Sequence, residues 1–427
     1  MLLPAVPVFR RSVDDYRCFV GDALVENLFG VAKPLAGCRV LHLSAVPSRP
    51  GLADTVDALT SLLQSVGLTS EWRVVRIKPN RAAANRILNR ALDGQFVQWT
   101  PELRDLWQSQ DDDLAGISSE DYDFVVVHGA EIAGAFAARI SQASRPKWIW
   151  HCHSDLSKAQ PDVWDFLILQ TRWYHSRIVS SLQQDSADIR YLFSTVPPTV
   201  DPLGARNLDL PDAFVEMMVR QHGVHPEAPI VLSIQRRDQS SGIAFQVAQG
   251  FRLAKARIPE LQLLVLLVGD EDRQTTLPHA APTRYGAVEQ PDICFVPAGS
   301  RSSDAEVNAL QRAAVALLDD SDDDGLALNL LEVMWKARPV VTGGAGAVRL
   351  GIQGGRNGCV ARSAEEYCRA IVDLVKLPGL AAAIGQAAKE HVRDNFLVTR
   401  LLSVYLTTLR ELARPPVAAT SDVVAKL

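Results

Sequence analysis

Apolar positions in this chain fall into short, nearly continuous runs separated by stretches of helical spacing. Arg39-Val-Leu-His-Leu-Ser44, Trp72 to Ile77 and Asp123 to His128 in the first half read as strands covered on both faces, because a half-exposed strand would alternate. Ile230 to Ile234, Leu263 to Gly269, Ile293 to Val296 and Val315 to Leu318 repeat the pattern in the second half. Between them, apolar residues recur at helical spacing. An opening helix over residues 11–30 carries Tyr16, Phe19, Leu24, Val25 and Leu28 and ends before Pro34; another runs through Leu59, Leu62 and Leu63. Helices are also predicted over 214–222, 305–314, 364–376 and 380–395, with a last one through Leu401, Tyr405 and Leu409. Strand alternating with helix is the pattern of a doubly wound parallel α/β sheet. A chain of 427 residues exceeds one ordinary core and suits two such domains. Pro197, Pro198 and Pro202 fix an extended path that no helix can occupy, which makes Ser194 to Leu203 the expected linker.

The stretch around which the second half is organised runs from Ser321 to Ala345 as acidic turn, apolar helix, strand and glycine loop. Asp324 is a good N-cap, since its carboxylate can accept from the first unpaired N–H groups. Leu326, Leu328, Leu330, Leu331, Val333, Met334 and Trp335 leave almost no polar stripe, so the helix belongs inside a domain. Glu332 is the exception. Its burial would require a partner, which a ligand hydroxyl could supply; a solvated or salt-bridged glutamate is the plainer reading.

Charge and cysteine usage narrow the function classes. A net charge of −5, without clustered basic residues, excludes a nucleic-acid footprint. The longest apolar run, Leu261 to Val268, is too short to cross a bilayer. The amino terminus lacks the basic start and long apolar region of a secretory signal, so a cytoplasmic protein is expected. Six cysteines scattered without a CxxC pair fit reduced, mostly buried thiols and no zinc site.

Candidate chemistry sits where strands end. The loop Ala45 to Asp54 follows a strand and precedes a helix, the place where α/β proteins bind ligands, although a plain connection reads the same way. His128 closes the third strand, where a lone histidine is more often structural. Trp148-Ile-Trp-His-Cys-His-Ser-Asp-Leu-Ser157 sets His151, His153 and Asp155 in alternation after an apolar strand. A satisfied loop network would also account for them. Gln235-Arg-Arg-Asp-Gln-Ser-Ser-Gly242 follows the first strand of the second half, and the glycines at 343, 344 and 346 could cradle a phosphate.

Taken together, these blocks resemble the family-four retaining glycosyltransferases of the GT-B fold, and within them the group of trehalose synthases (glycosyl-transferring) and trehalose phosphorylases. The likeness spans about residues 14 to 412 and rests on Asp324 and Glu332 eight apart, Cys152-His-Ser-Asp-Leu-Ser157, Pro197-Pro-Thr-Val-Asp-Pro-Leu203, Arg236-Arg-Asp238 with Gly242, and Gly355 with Gly358. The resemblance implies two tandem Rossmann-like domains with a cleft between them. Residues 1–205 would form the acceptor side, 206–396 the nucleotide-sugar side, and 397–415 a helix crossing back. It assigns catalytic positions to His153, near the donor sugar, to Arg236, on the diphosphate, and to Asp324, on the sugar hydroxyls. Donor or nucleotide contacts fall to Glu332, on the ribose, and to Arg237, Ser241, Gly325, Leu328 and Gly51. Arg49, Asp155 and Arg349 become acceptor or phosphate contacts.

The chain also departs from the family. Ser241 stands where a lysine is usual, Asp324 where a glutamate is, His151 where an arginine is, and Arg49-Pro50 replaces two glycines of a triple-glycine loop. A leaving diphosphate gathers charge and needs fixed cations, so the loss of a lysine is the most serious departure. The implied activity is metal-independent, retaining transfer from a nucleotide-diphosphate sugar, UDP or GDP, to a small-molecule acceptor, with no separate cofactor. The deviations point to a specialised, secondary-metabolite pathway with an O- or S-linkage. Trehalose synthesis proper, a phosphorylase using inorganic phosphate, and a catalytically silent sugar-nucleotide binder are the alternatives, and a homodimer is one assembly open to it.

Overall fold

The structure is a computed structural model that describes residues 5–45, 52–109, 121–137, 140, 146–156, 158–181, 193–236, 243–268, 292–298, 304–320, 327–343, 347–348 and 350–414. The chain divides into two compact units, Met1–Pro197 with Val398–Leu427, and Pro198–Leu397.

The first unit is built on a sheet of six strands: β1 (Arg39–Ala45), β2 (Thr69–Val75), β3 (Phe124–His128), β4 (Lys147–Asp155), β5 (Ser176–Ser181) and β6 (Ser194–Thr195). Their order is β2-β1-β3-β4-β5-β6 and every pairing is parallel. The chain leaves β1 for β2 on one side and returns to β3 on the other. That reversal opens a crevice beyond the carboxyl ends of β1 and β3. Side-chain alternation divides the strands between two faces. Leu41, Leu43, Val125, Val127, Trp148, Trp150 and Cys152 share one apolar cluster. His42, Val126, His128, Ile149, His151 and His153 take the opposite face, with His128 paired to His151 in register. The helix Val398–Ala413 belongs to this unit and packs on the helices Asp22–Ala32 and Leu52–Ser65.

The second unit repeats the plan with β7 (Ile230–Arg236), β8 (Gln262–Val268), β9 (Ile293–Ala298), β10 (Ala316–Asp319), β11 (Val340–Thr342) and β12 (Cys359–Val360). The order is β12-β11-β10-β7-β8-β9, again all parallel. Its reversal lies between β7 and β10. Val231, Leu263, Val265, Leu318 and Val341 form a core with the helices Phe245–Lys255 and Ala364–Lys376. A side chain at Gly250 would overlap Tyr367, which explains how closely those two helices approach.

The alternation of strands and helices therefore stands, with four local corrections. The opening helix is broken at Gly21, whose φ of 79° lies outside the helical range, and the second piece runs on to Ala32 before a 3-10 turn that takes in Pro34. β2 begins and ends earlier than its apolar residues suggest, at Thr69 and Val75, and Pro79 then opens a helix at its first turn. β4 continues through His151 and His153, so these are strand residues and not a loop. All six cysteines are free, but only Cys152 and Cys368 are buried, fewer than the sequence suggests. No single helix among the described residues is long and apolar enough to cross a membrane.

Candidate functional site

The first unit gathers four histidines on one sheet face. His42 Nδ1 and His128 Nε2 share a hydrogen bond of 2.9 Å, and His128 Nδ1 shares another of 2.9 Å with His153 Nε2. His151 Nδ1 meets the Tyr405 hydroxyl at 2.7 Å, and the His151 ring packs on His153 with centroids 3.7 Å apart. Strand pairing explains the grouping. His42 lies opposite Val126, so His128 is two residues further on, and His128 lies opposite His151, so His153 is again two further on. The three rings thus step diagonally from the middle of the sheet to its carboxyl edge. His42, His128 and His151 are buried, while His153 is part-exposed. Burial disfavours the imidazolium form: it takes His42 down to about 3 and holds His128 and His151 well below the ordinary histidine value, with the neighbouring imidazoles adding to the effect.

His128, His151 and His153 are also the group of potential metal ligands among the described residues, their ligand atoms lying within 4.8 Å of one another. The ring geometry favours protons over a cation. Centroids 5.2 Å apart for both His42–His128 and His128–His153 are what a 2.9 Å N···N separation plus two ring radii require, so the rings meet head to head. A cation needs about 2.0–2.1 Å to each nitrogen. Between two nitrogens facing each other in line at 2.9 Å a cation at that distance from both would lie off the line, away from the direction of either lone pair.

The second unit holds an ionic cluster on the helix Ala327–Trp335. Glu332 is 2% exposed. Arg206 grips it with two prongs, Nε to Oε1 at 2.9 Å and Nη2 to Oε2 at 3.2 Å, and Gln311 Nε2 donates to Oε2 at 3.1 Å. Arg206 Nη2 also donates to Asn329 Oδ1 at 3.2 Å. One turn on, Lys336 donates to Asn207 Oδ1 at 3.0 Å and to the Glu332 carbonyl at 3.1 Å. Burial lowers the Lys336 ammonium to about 7 against the opposing pull of Glu332. Glu332 therefore has protein partners already, the second of the two readings its sequence allows.

Of the site residues that the resemblance assigns, the structure describes the side chains of His153, Glu332 and Leu328. Arg236 ends β7, paired with Val268, and Asp155 ends β4, paired with Ser181. Arg49, Gly51, Arg237, Ser241, Asp324, Gly325 and Arg349 lie outside the described residues, as do the chain's last residues beyond 414. His153, His128 and His151 come together in the first unit; Glu332 and Leu328 share a helix in the second. Sequence reasoning missed His42, Tyr405, Arg206 and Gln311. For His42 a signal existed: it is the one polar residue inside an otherwise apolar segment of β1. Arg206 and Tyr405 gave none, because their partners are 126 and 254 residues away. Glu131 lies in the turn that follows β3. A side chain at Gly129, where φ is 86°, would collide with its carboxylate, so Glu131 folds back over the backbone next to His128.

A family model described as the trehalose synthase N-terminal domain matches residues 42–184. Over 406 residues, 94% of this chain and 97% of the relative, the sequence is 28% identical to the trehalose synthase of Pyrococcus horikoshii. The trehalose synthase of Rubrobacter xylanophilus is 29% identical over 408 residues, 94% of this chain and 97% of the relative. Among solved structures, the sucrose-phosphate synthase of Thermosynechococcus elongatus superposes with a TM-score of 0.63 at 16% identity, over 88% of this chain and 99% of that one. Anabaena HepE in complex with UDP-glucose gives a TM-score of 0.58 at 16% identity, over 87% of this chain and 99% of that one. The protein has the α/β GT-B fold, with two six-stranded parallel sheets, and it resembles the trehalose synthases over nearly its whole length.

Proposed function

We propose that the protein is a retaining, metal-independent glycosyltransferase that moves a sugar from a nucleotide-diphosphate sugar, a UDP-sugar first of all, to a small-molecule acceptor. The observation that carries this reading is the match to trehalose synthases across 94% of this chain and 97% of the relative. The GT-B fold, shared with a protein captured in complex with UDP-glucose, supports it.

In this reading residues 1–205 with 397–415 serve the acceptor and 206–396 the nucleotide sugar. His153 meets the donor sugar. Arg236 and Arg237 face the diphosphate, Asp324 the sugar hydroxyls, and Glu332 the ribose, its carboxylate held in place by Arg206. As the bond from sugar to phosphate breaks, negative charge grows on the departing diphosphate and fixed cations stabilise it. The acceptor attacks from the face the phosphate leaves, and its proton passes to the phosphate oxygen, so the anomeric configuration is kept. No pair of carboxylates flanking the bond is needed, unlike in retaining hydrolases. Ser241, Asp324 and Arg49 each replace a family residue, which favours an acceptor other than that of trehalose synthesis, a hydroxyl or a thiol in a specialised pathway.

The test combines binding and turnover. UDP is expected to raise the unfolding temperature more than GDP or ADP, because a ligand of the native state at 100 times its Kd adds about 2.7 kcal/mol. A panel of sugar donors and acceptors should then yield a product of unchanged anomeric configuration, insensitive to EDTA. Release of sugar 1-phosphate from a disaccharide and inorganic phosphate, without nucleotide binding, would replace this reading by phosphorolysis. The serine at 241 favours one second reading, a binder without turnover. Nucleotide binding without transfer by either the native protein or Ser241→Lys would establish it.

A further inference from the structure

The hydrogen bonds that link His42, His128 and His153 couple the three rings in one direction. A neutral imidazole carries one N–H and one lone pair. If His42 Nδ1 donates, His128 accepts at Nε2, so its own proton lies on Nδ1. That proton is donated to His153 Nε2, and the proton of His153 must then lie on Nδ1 as well. In the reverse state all three protons sit on Nε2. No mixed state keeps both bonds, so the three tautomers change together or not at all.

The buried end selects between the two states. His42 is fully buried, and its Nε2 meets no hydrogen-bond partner among the described residues. A proton there would be a buried N–H with no acceptor among the described residues, a more costly defect than an unused lone pair. The all-Nδ1–H state avoids it. Both rings are buried, His42 at 0% and His128 at 1% exposure, and with no counter-charge in their hydrogen bonds the neutral form is the one such a site accommodates. The His151 ring, packed against His153 with centroids 3.7 Å apart and planes tilted by 33°, is held through its own Nδ1 by Tyr405 and restricts the turning of His153 without joining the sequence of bonds.

We infer that His42 and His128 are positioning residues that hold His153 in its Nδ1–H tautomer, so that His153 acts on the reactants as a hydrogen-bond donor and not as a base. Nε2 is engaged by His128, and Nδ1 carries the proton. Such a group stabilises a sugar hydroxyl or a phosphate oxygen that gains charge, and it cannot take the acceptor's proton. This consequence for chemistry rests on the glycosyltransferase reading, whereas the tautomer assignment rests on the hydrogen-bond geometry of three neutral rings.

Long-range proton–nitrogen correlation spectra of the full-length protein, with histidine ring nitrogens labelled, test it. The expected result is the Nδ1–H pattern for His42, His128 and His153 at neutral pH. His128→Gln is expected to preserve that pattern at His153, because the amide oxygen can accept from His42 and the amide NH2 can donate to His153. His128→Leu should release His153 to a mixture of tautomers, with an unfolding temperature measured alongside to establish that the variant folds. Under the proposed function, kcat/KM should fall roughly tenfold or more in the leucine variant and by less in the glutamine variant. An Nε2–H pattern at His153 in the native protein overturns the proposal. So does stoichiometric zinc uptake by the purified chain that shifts the His128, His151 and His153 nitrogens together. Failure to find any sugar transfer while the tautomers are as stated would sink the proposed function and leave the assignment intact.

Discussion

The two units bury polar groups in opposite ways. The first packs neutral rings against one another and balances them with directional hydrogen bonds; the second sets a carboxylate against a guanidinium and adds amides to complete the shell. A neutral cluster costs little to desolvate but ties its members to a shared protonation pattern. An ionic cluster is costly to desolvate and depends on both partners being present. The contrast suits the tasks proposed for each side. A group that meets a reacting sugar gains from a fixed tautomer, and a group that meets a ribose gains from a fixed charge.

Acid should break this contrast most strongly. His42 sits at about 3 in the fold against about 6.5 when unfolded, so the unfolded chain binds the extra proton between those values. Stability from this group is complete above pH 6.5 and is lost as pH falls from 6.5 toward 3, at up to ~1.4 kcal/mol per pH unit. His128 and His151 shift in the same direction and steepen the loss. Urea unfolding between pH 7 and 4.5 measures it; a flat profile would show that the rings are not buried as described. Glu332→Ala comes next, because it removes the buried carboxylate that Arg206 grips with two prongs and leaves the part-buried guanidinium a longer pairing with Asp304 at 3.5 Å, at about 2–3 kcal/mol. The double variant with Arg206→Met should recover most of that in chemical denaturation. For His153→Ala the expected loss is mainly kinetic, about 10²–10³ in kcat on the scale of one preorganised donor, beside about 1 kcal/mol of stability because the buried His128 Nδ1 loses its partner. Tyr405→Phe is the mildest. Removing one hydroxyl from His151 should lower stability by ~1 kcal/mol.

Much of the fold was legible because parallel strands buried on both faces write themselves as apolar runs, and β1, β7 and β8 fall where those runs lie. Boundaries failed where a single residue overrode periodicity. Gly21 breaks a helix whose apolar spacing continues across it, and β4 outlasts its apolar segment because His151 and His153 pair as strand residues. The site was legible at His153 and Glu332, whose local context is unusual. It was not legible at His42, Arg206, Gln311 and Tyr405, because a hydrogen bond between distant segments leaves no trace in local pattern. His128 shows the limit most clearly. As a histidine at a strand end it reads as structural, and only the register of β1, β3 and β4 reveals that it bridges two others.

The return of Val398–Ala413 to the first unit also bears on how the chain is made. A ribosome delivers domains in order, and the earlier one usually folds first. Here the opening 197 residues await a helix that emerges some two hundred residues later, while Pro198–Leu397 is continuous and has all its parts sooner. Tyr405 can reach His151 only after the whole of Pro198–Leu397 has been synthesised, so the first sheet gains its closing segment last.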